Sequence, residues 1–338
     1  MLENRTTEAE QYVTHSGQFH LDDVTAYALL SLRNELLDLP APELTRTRDT
    51  ELFKTADWLV DVGGEYDPES QRLDHHQFSS SAPDRPRHEN GVPFAAAGMM
   101  WASIGHECIA QIAKRNVIEL SPQDIQSIFE ALDHSTFQGI DAEDNGELSS
   151  VATFTGSGKS EFLLEHVSLA DVVRDYNGLH SSAEEAIERF EELATTVKHV
   201  LYARIAANVR EGLARNFLSE GTLHCEGKVL LLKAGVPPEI DAVFHEAPDT
   251  VEFTVYNEEG STEWEIRCTP LEKGSFDFKG GFPQEWRGLL LEGTDGKPSF
   301  AEVSGVASAI FCHGAGFFAK AGNKQDAIEL ATIAARQT

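Results

Sequence analysis

Residues 14–34 read THSGQFHLDDVTAYALLSLRN. Two histidines and two aspartates stand just ahead of an apolar helix pattern, where an unpaired charge or imidazole would cost several kcal/mol to bury. Two further segments end an apolar run in the same way: Asp61 in LVDVGG, and Asp74, His75 and His76 in RLDHHQF. A fourth stretch, GIDAEDNGE (139–147), offers either Asp141 or Asp144. With His15, His20 and Asp22, these form a set of imidazoles and carboxylates without thiolates, which suits divalent manganese, magnesium, zinc or cobalt. More than five candidate ligands exceed the need of one catalytic ion, which must keep positions open for water and substrate. Two ions about 3.5–4 Å apart, bridged by one carboxylate, would use them all, clamp a phosphate and make a nucleophilic water available near neutral pH. Asp61 is the best-placed bridge, at a strand end fixed by a tight glycine turn. Each piece alone has a plainer reading, since Asp22 or Asp23 can cap a helix and DHH arises by chance. Their joint occurrence at strand ends is much harder to attribute to chance.

The elements that position these residues follow from periodicity. EQYVTHSG reads as a strand ending at the His15 loop, and DDVTAYALLSLRN as the helix after it. DWLVDVGGEYD (57–67) has the continuous apolar run of a parallel strand. FAAAGMMWASIG and SPQDIQSIFEALDH read as helices, the second with a Ser-Pro start. Alternating strands and helices indicate an α/β domain with a mostly parallel sheet, in which strand carboxyl ends converge on one crevice. Residues 181–217 form one long amphipathic helix or a pair, opening with a Ser182–Glu185 capping box. Beyond it, GKVLLLKAG, DTVEFTVYN and TEWEIRCTP read as strands and NKQDAIELATIAAR as a closing helix. The expected domains are 1–180, a connecting helix region 181–217, and a smaller α/β domain 218–338.

Composition narrows the function classes. A chain of 338 residues with 41% hydrophobic content is globular and too long for one ordinary core. No run approaches the roughly 18 apolar residues of a membrane span. MLENRTTEAEQY reads as neither signal nor transit peptide, and a cytoplasmic location is expected. Four scattered cysteines read as buried thiols. The net charge of −29 opposes non-specific coating of DNA or RNA. It leaves room for a nucleic acid held locally by metal ions and a few basic groups. TGSGKS (155–160) lacks the first glycine of a phosphate-binding loop and reads as a surface loop in which Lys159 offers a phosphate contact. The NRT sequon at 4–6 is irrelevant without secretion.

The order of these motifs resembles the DHH phosphoesterase superfamily, and within it the melanocyte proliferating gene one family, whose members carry the name metal-dependent protein hydrolase. The matching stretches are THSGQFHLDD, VDVGGEYDPESQRLDHHQF, AAAGMMWASIG, GIDAEDNG, FPQEWRGL and IFCHGAGF, which together span most of the chain. The resemblance implies a DHH-type parallel sheet flanked by helices, a linking helix and a smaller C-terminal α/β domain. It implies metal ligation by His15, His20, Asp22, Asp61 and His75, contact of His76 with the scissile phosphate, and an orienting or ligating Asp74. The fourth-motif aspartate falls on Asp141 or Asp144, with Asp144 favoured by its DNG turn. The chain departs from the subfamily at Leu21, Asp22 and Asp23, where Cys-Asp-Glu is usual. It also has AAAG where Ser-Ser-Ala-Gly is common, losing two hydroxyls.

In the C-terminal half, Arg287 offers a permanently charged phosphate partner and His313 lies among small residues that admit a close ligand. Trp286 reads equally as core or function. Within the resemblance, the expected activity is a 3′-to-5′ exonuclease on short RNA or DNA with two divalent ions, Mn²⁺ foremost, and with a homodimer left open. The competing readings are hydrolysis of a small phosphoanhydride or cyclic nucleotide, disfavoured by the few basic residues near DHH, and a non-catalytic metal-stabilised scaffold. Nothing in the motifs supports proteolysis.

Overall fold

Tyr12 and Val13 stand in parallel register with Leu44 and Thr45 on one side and with Trp58 and Leu59 on the other. That pairing puts β1 (Gln11–Thr14) inside a sheet whose order is β2-β1-β3-β5-β4. Here β2 is Glu43–Arg46, β3 Trp58–Val60, β4 Tyr66–Asp67 and β5 Arg72–Leu73. Only β4 runs antiparallel to its neighbour. The computed structural model describes residues 8–79, 82–147, 153–155, 161–163, 168–179, 182–293 and 298–337. The NRT sequon and Lys159 lie outside the described residues.

Alternation along the strands sends side chains to two faces. Tyr12, Trp58, Val60 and Leu73 join the main core, whereas Val13 and Leu59 pack with Ala56 and Val62 on the other side. Helices α1 (Leu21–Leu36) and α3 (Ala96–Arg115) cover the first face, and the short α2 (Thr50–Phe53) contributes Phe53 to the second. Next comes α4 (Pro122–Leu132), started by a Ser121 capping box with proline in its first turn. A π-helical turn, Asp133–Phe137, joins it to α5 (Gln138–Asp144). Trp101 of α3 stacks on Phe129 and Phe137, at centroid separations of 5.0 and 4.4 Å, and so clamps this bent helix to the core. A hairpin of β6 (Thr153–Thr155) and β7 (Glu161–Leu163) precedes α6 (Leu169–Tyr176).

The expected long helix is one continuous element, α7 (Ala183–Ser219), and Ser182 Oγ accepts from the Glu185 amide at 3.2 Å. The chain divides into units Met1–Val209 and Arg210–Thr338, and the division falls within this helix. Phe190, Val197, Ile205 and Val209 belong to the first core, and Ala214 and Leu218 to a cluster of the second unit. The second unit holds β8 (Thr222–His224), β9 (Val229–Val236), β10 (Phe253–Glu258), β11 (Trp264–Cys268), α8 (Phe300–Ser304), β12 (Ala309–Cys312), β13 (Phe318–Ala321) and α9 (Lys324–Gln337). Its sheet order is β12-β13-β11-β10-β9-β8, antiparallel except between β9 and β10. Val229 and Leu231 face a core with α9, whose Ala327, Leu330, Ala331 and Ala334 form its buried stripe; Leu230 and Leu232 face the other side. The β12–β13 hairpin, carrying IFCHGAGFFAKA, was not among the expected strands. The chain is thus an α/β protein. Among the described residues no helix is long and apolar enough to cross a membrane.

Truncating the stacked ring that joins α3, α4 and the π turn leaves a large void. Trp101→Ala is expected to destabilise the first unit by about 3–5 kcal/mol, read from urea unfolding; a cost below about 1 kcal/mol would contradict this packing.

Candidate metal centre

The parallel strands β1, β3 and β5 end at Thr14, Val60 and Leu73. The residues that follow are His15, Asp61 and the Asp74-His75-His76 triplet, so a shared strand polarity delivers all of them to one edge of the sheet. Asp61 sits at φ 59°, a left-handed conformation that costs a non-glycine residue about 1–3 kcal/mol. This turn carries its carboxylate back over the strand ends. Asp61 Oδ2 lies 3.2 Å from His15 Nε2, while Oδ1 lies 3.1 Å from His75 Nε2 and 3.4 Å from His76 Nδ1. The two oxygens of one side chain therefore face two sets of imidazoles.

Three groups converge at this edge: Asp61–His75–His76, His15–Asp23–Asp61, and His20–Asp22–Asp144, the donor atoms within each lying within 4.8 Å of one another. Asp144 also links the groups, with Oδ2 3.4 Å from His75 Nε2 and Oδ1 3.9 Å from His20 Nδ1. Asp74 stands apart from these groups. Its Oδ2 accepts from the Gly64 amide at 2.6 Å, and its Oδ1 accepts from the His76 amide at 3.1 Å and lies 2.8 Å from His76 Nδ1. It thus ties the glycine turn to the DHH triplet and aims the His76 ring.

The electrostatics show what these side chains lack. Asp22, Asp23 and Asp61 are buried, and Asp144 is largely so. Among the described residues no lysine or arginine forms an ion pair with any of the four. Asp22 Oδ1 and Asp23 Oδ2 are buried without a hydrogen-bond partner. Burial, then the neighbouring Asp61 and Asp144 carboxylates, push the Asp22 carboxyl well above its usual range. Burial raises Asp144 likewise, against the attraction of His75. Burial works against charge on His15, but Asp23 and Asp61 overcome it and raise the imidazole to about 10. Burial also opposes ionisation of Asp61, yet His15 and His75 hold it below the usual carboxylate range. The protonated His15 imidazole is the positive charge that faces Asp23 and Asp61 here. Orphaned buried oxygens, clustered carboxylates and imidazole donors together fit a divalent ion.

Sequence reasoning left Asp141 and Asp144 open, and the structure separates them. Asp144 lies in the third group, whereas Asp141 Oδ1 accepts from the Gly98 amide at 3.0 Å and its Oδ2 lies 2.9 Å from His88 Nε2. Asp141 therefore secures the start of α3, as does Asp22 Oδ2 through the Ala96 amide at 3.2 Å. Gly98 has no room for a Cβ beside Asp141. His88 bridges Asp141 to Asp133, which lies 2.9 Å from His88 Nδ1. That pairing escaped the sequence reading because His88 sits in a polar loop with no periodic signal. Asp23 was weighed only as a cap; its Oδ1 does accept from the His20 amide at 2.8 Å, but its Oδ2 lies 3.3 Å from His15 Nε2.

In the second unit, FPQEWRGL and FCHGAGF pack together. Phe282 and Gly316 are joined by a backbone hydrogen bond of 2.9 Å, and Arg287 Nε donates to the Phe282 carbonyl at 3.0 Å. His313 Nδ1 accepts from the Ala315 amide at 3.1 Å, which leaves Nε2 to carry the proton of the neutral ring. Trp286 is buried beside Phe282 and Phe300, a packing role.

Fold and site define a two-unit α/β protein with a histidine–carboxylate centre at its parallel strand ends. The chain belongs to the MYG1 exonuclease family, described as an uncharacterised protein family (UPF0160), whose model matches residues 11–335. It is 30% identical to the MYG1 exonucleases of Homo sapiens and Rattus norvegicus over 96% of its length, covering 85% and 84% of those proteins. Among solved structures, a pGpG-specific phosphodiesterase from Vibrio is similar at 12% identity and a TM-score of 0.22, over 97% of this chain and 98% of that one.

Two outcomes follow from this geometry. Asp61→Gly, which relieves the left-handed strain, is expected to be more stable than Asp61→Ala by about 1 kcal/mol in thermal or urea unfolding; equal stabilities would contradict the strain. In addition, His15 holds a proton up to about pH 10 in the ion-free protein. A cation taking its nitrogen must displace that proton, so Mn²⁺ affinity is expected to rise with pH up to about 10 and to level off above it, by up to about tenfold per unit for each proton released. Calorimetry in buffers of different ionisation enthalpy measures the release; none at pH 7.5 would rule this out.

Proposed function

We propose that the chain is a metal-dependent phosphodiesterase that trims short RNA or DNA from the 3′ end. The observation that carries this reading is Asp61, whose two oxygens face different imidazole groups, a disposition suited to bridging two divalent cations. Such ions, Mn²⁺ foremost and Mg²⁺, Co²⁺ or Zn²⁺ as alternatives, would supply Lewis-acid polarisation of a phosphate and a nucleophilic water near neutral pH. His15, Asp23 and Asp61 would hold one ion, and His75 with Asp61, His20, Asp22 and Asp144 the other.

The remaining chemistry belongs to the protein. His76 is 62% exposed at its side chain and is oriented by Asp74. The Asp74 hydrogen bond raises its imidazole above the ordinary range, which favours the protonated ring as a donor to a phosphate oxygen. Arg287 and His313 offer further phosphate contacts on the second unit. The charge of −29 confines tight binding to short substrates, because few basic contacts release few counterions. The exonuclease names of the mammalian relatives support this reading.

The test is a 5′-labelled single-stranded RNA of about eight nucleotides incubated with Mn²⁺, comparing the wild type with Asp61→Ala. A ladder shortening from the 3′ end, absent in a variant that circular dichroism shows to be folded, is the expected result. Intact RNA with both proteins would overturn the reading in favour of a small phosphoanhydride substrate or a metal-stabilised scaffold.

A further inference from the structure

Beside the third ligand group lies a cavity of about 290 Å³ that shares His20, Asp22 and Asp144 with it. Phe19, Leu21, Ile140, Ala170 and Val173 supply apolar wall, and Gln18, Glu143, Arg174 and Asn177 supply polar edges. The wall is braced before any ligand arrives. Asn177 Oδ1 accepts from the Phe19 amide at 3.0 Å and its Nδ2 donates to the Phe19 carbonyl at 2.7 Å, locking the end of α6 to the loop before α1. Preformed concave sites of this kind lose little entropy on binding.

The charges around the cavity select its occupant. Asp22, Glu143 and Asp144 are acidic, and Arg174, the one lysine or arginine in the lining among the described residues, is engaged by Asp171 at 2.9 Å and lies 3.9 Å from Glu143. An anionic group therefore finds no free guanidinium or ammonium in the lining to pair with. A neutral group with apolar faces and hydrogen-bonding edges is accepted. Gln18 is exposed, and its carboxamide carries both donors and an acceptor. The volume lies near the lower bound of small-molecule sites, which leaves room for one nucleoside.

We propose that this cavity receives the terminal nucleoside of the substrate, uncharged and ending in a free hydroxyl. The proposal rests on the phosphodiesterase reading for its setting beside the scissile phosphate. A single-nucleoside pocket against the metal centre limits cleavage to the end of a chain. A terminal 3′-phosphate would set its charge against the Glu143 side chain with no free cation to pair it, so such ends are disfavoured.

Two measurements test this. Without added cation, saturation-transfer NMR is expected to detect adenosine binding to the wild-type protein. The signal should weaken for Ala170→Leu, which fills the cavity, and for Gln18→Ala, an exposed change that spares the fold. Adenosine 3′-phosphate should give little signal. With Mn²⁺, kcat/KM for an eight-nucleotide RNA with a 3′-hydroxyl, relative to that for bis(p-nitrophenyl) phosphate, should fall about tenfold in Ala170→Leu and about fivefold in Gln18→Ala. RNA with a 3′-phosphate should be cleaved at least tenfold more slowly by the wild type. Absence of adenosine binding, or an unchanged cleavage ratio in both variants, overturns the pocket. Failure of the wild type on both RNA and the synthetic diester overturns the phosphodiesterase reading instead, and leaves the NMR result to judge the cavity.

Discussion

Crowding of negative charge at the strand ends is the constraint on which the first unit depends. Four aspartates, Asp22, Asp23, Asp61 and Asp144, are brought together with imidazoles and without a lysine or arginine ion pair among the described residues. Ionised carboxylates in so dry a place would repel one another strongly, and desolvation adds to the cost. The protein settles the conflict by raising Asp22 and Asp144 and by keeping a proton on His15. The His15 proton stands where a cation would satisfy the same oxygens. The left-handed Asp61 fits this picture, because local strain persists only where surrounding structure over-determines it. Here the parallel pairing of β3 with β5 and the Asp74 hydrogen bond to Gly64 fix the turn from both sides.

Much of this was legible in the sequence because strand polarity is a simple rule. Apolar runs that stop at His15, Asp61 and Asp74 need only be parallel for those residues to meet, and the alternation of Tyr12 with Val13 and Leu59 with Val60 shows why the runs form strands covered on both faces. What stayed hidden depends on helix phase and on long-range pairing. Asp133 and Asp141 are eight residues apart, which on a regular α-helix sets them about 80° from each other. The π turn at Asp133–Phe137 absorbs one residue and reduces the angle to about 20°, so both can hold the His88 ring. It also sets the phase of α5, which turns Asp141 toward α3 and Asp144 toward the histidines. No propensity rule places a π turn in DHSTF, and so periodicity could not separate Asp141 from Asp144; only the DNG turn within the resemblance favoured Asp144.

Asp23 was obscured for a different reason. Its two oxygens serve two distances: one satisfies the local amide of His20, the other faces His15 from across the loop. A capping signature accounts for the residue completely at the level of sequence and so conceals its second contact. The division within α7 was equally unreadable, since the helix is continuous and only the identity of its packing partners changes between Val209 and Ala214. In the C-terminal unit, the glycines of FCHGAGF mask the alternation that would have marked β12 and β13. The resemblance drew attention to His313 there, where periodicity did not.

The acidic surface and the acidic centre impose opposite demands on a polyanionic substrate. Surface charge repels it at long range, although salt at physiological strength screens that repulsion beyond about 8 Å. Close to the centre, bound cations would reverse the sign of the local field, so that attraction is confined to the reacting phosphate. A long nucleic acid would pass many phosphates over repelling surface for the sake of one attractive point, whereas a short one passes few. On the proposed reading the cavity beside His20 would extend the same logic, because it offers apolar wall to a nucleoside and no free cation to a phosphate, which the bound ions would attract instead. On that reading, substrate length and substrate register would both follow from one distribution of charge, with the positive field concentrated where ions would bind.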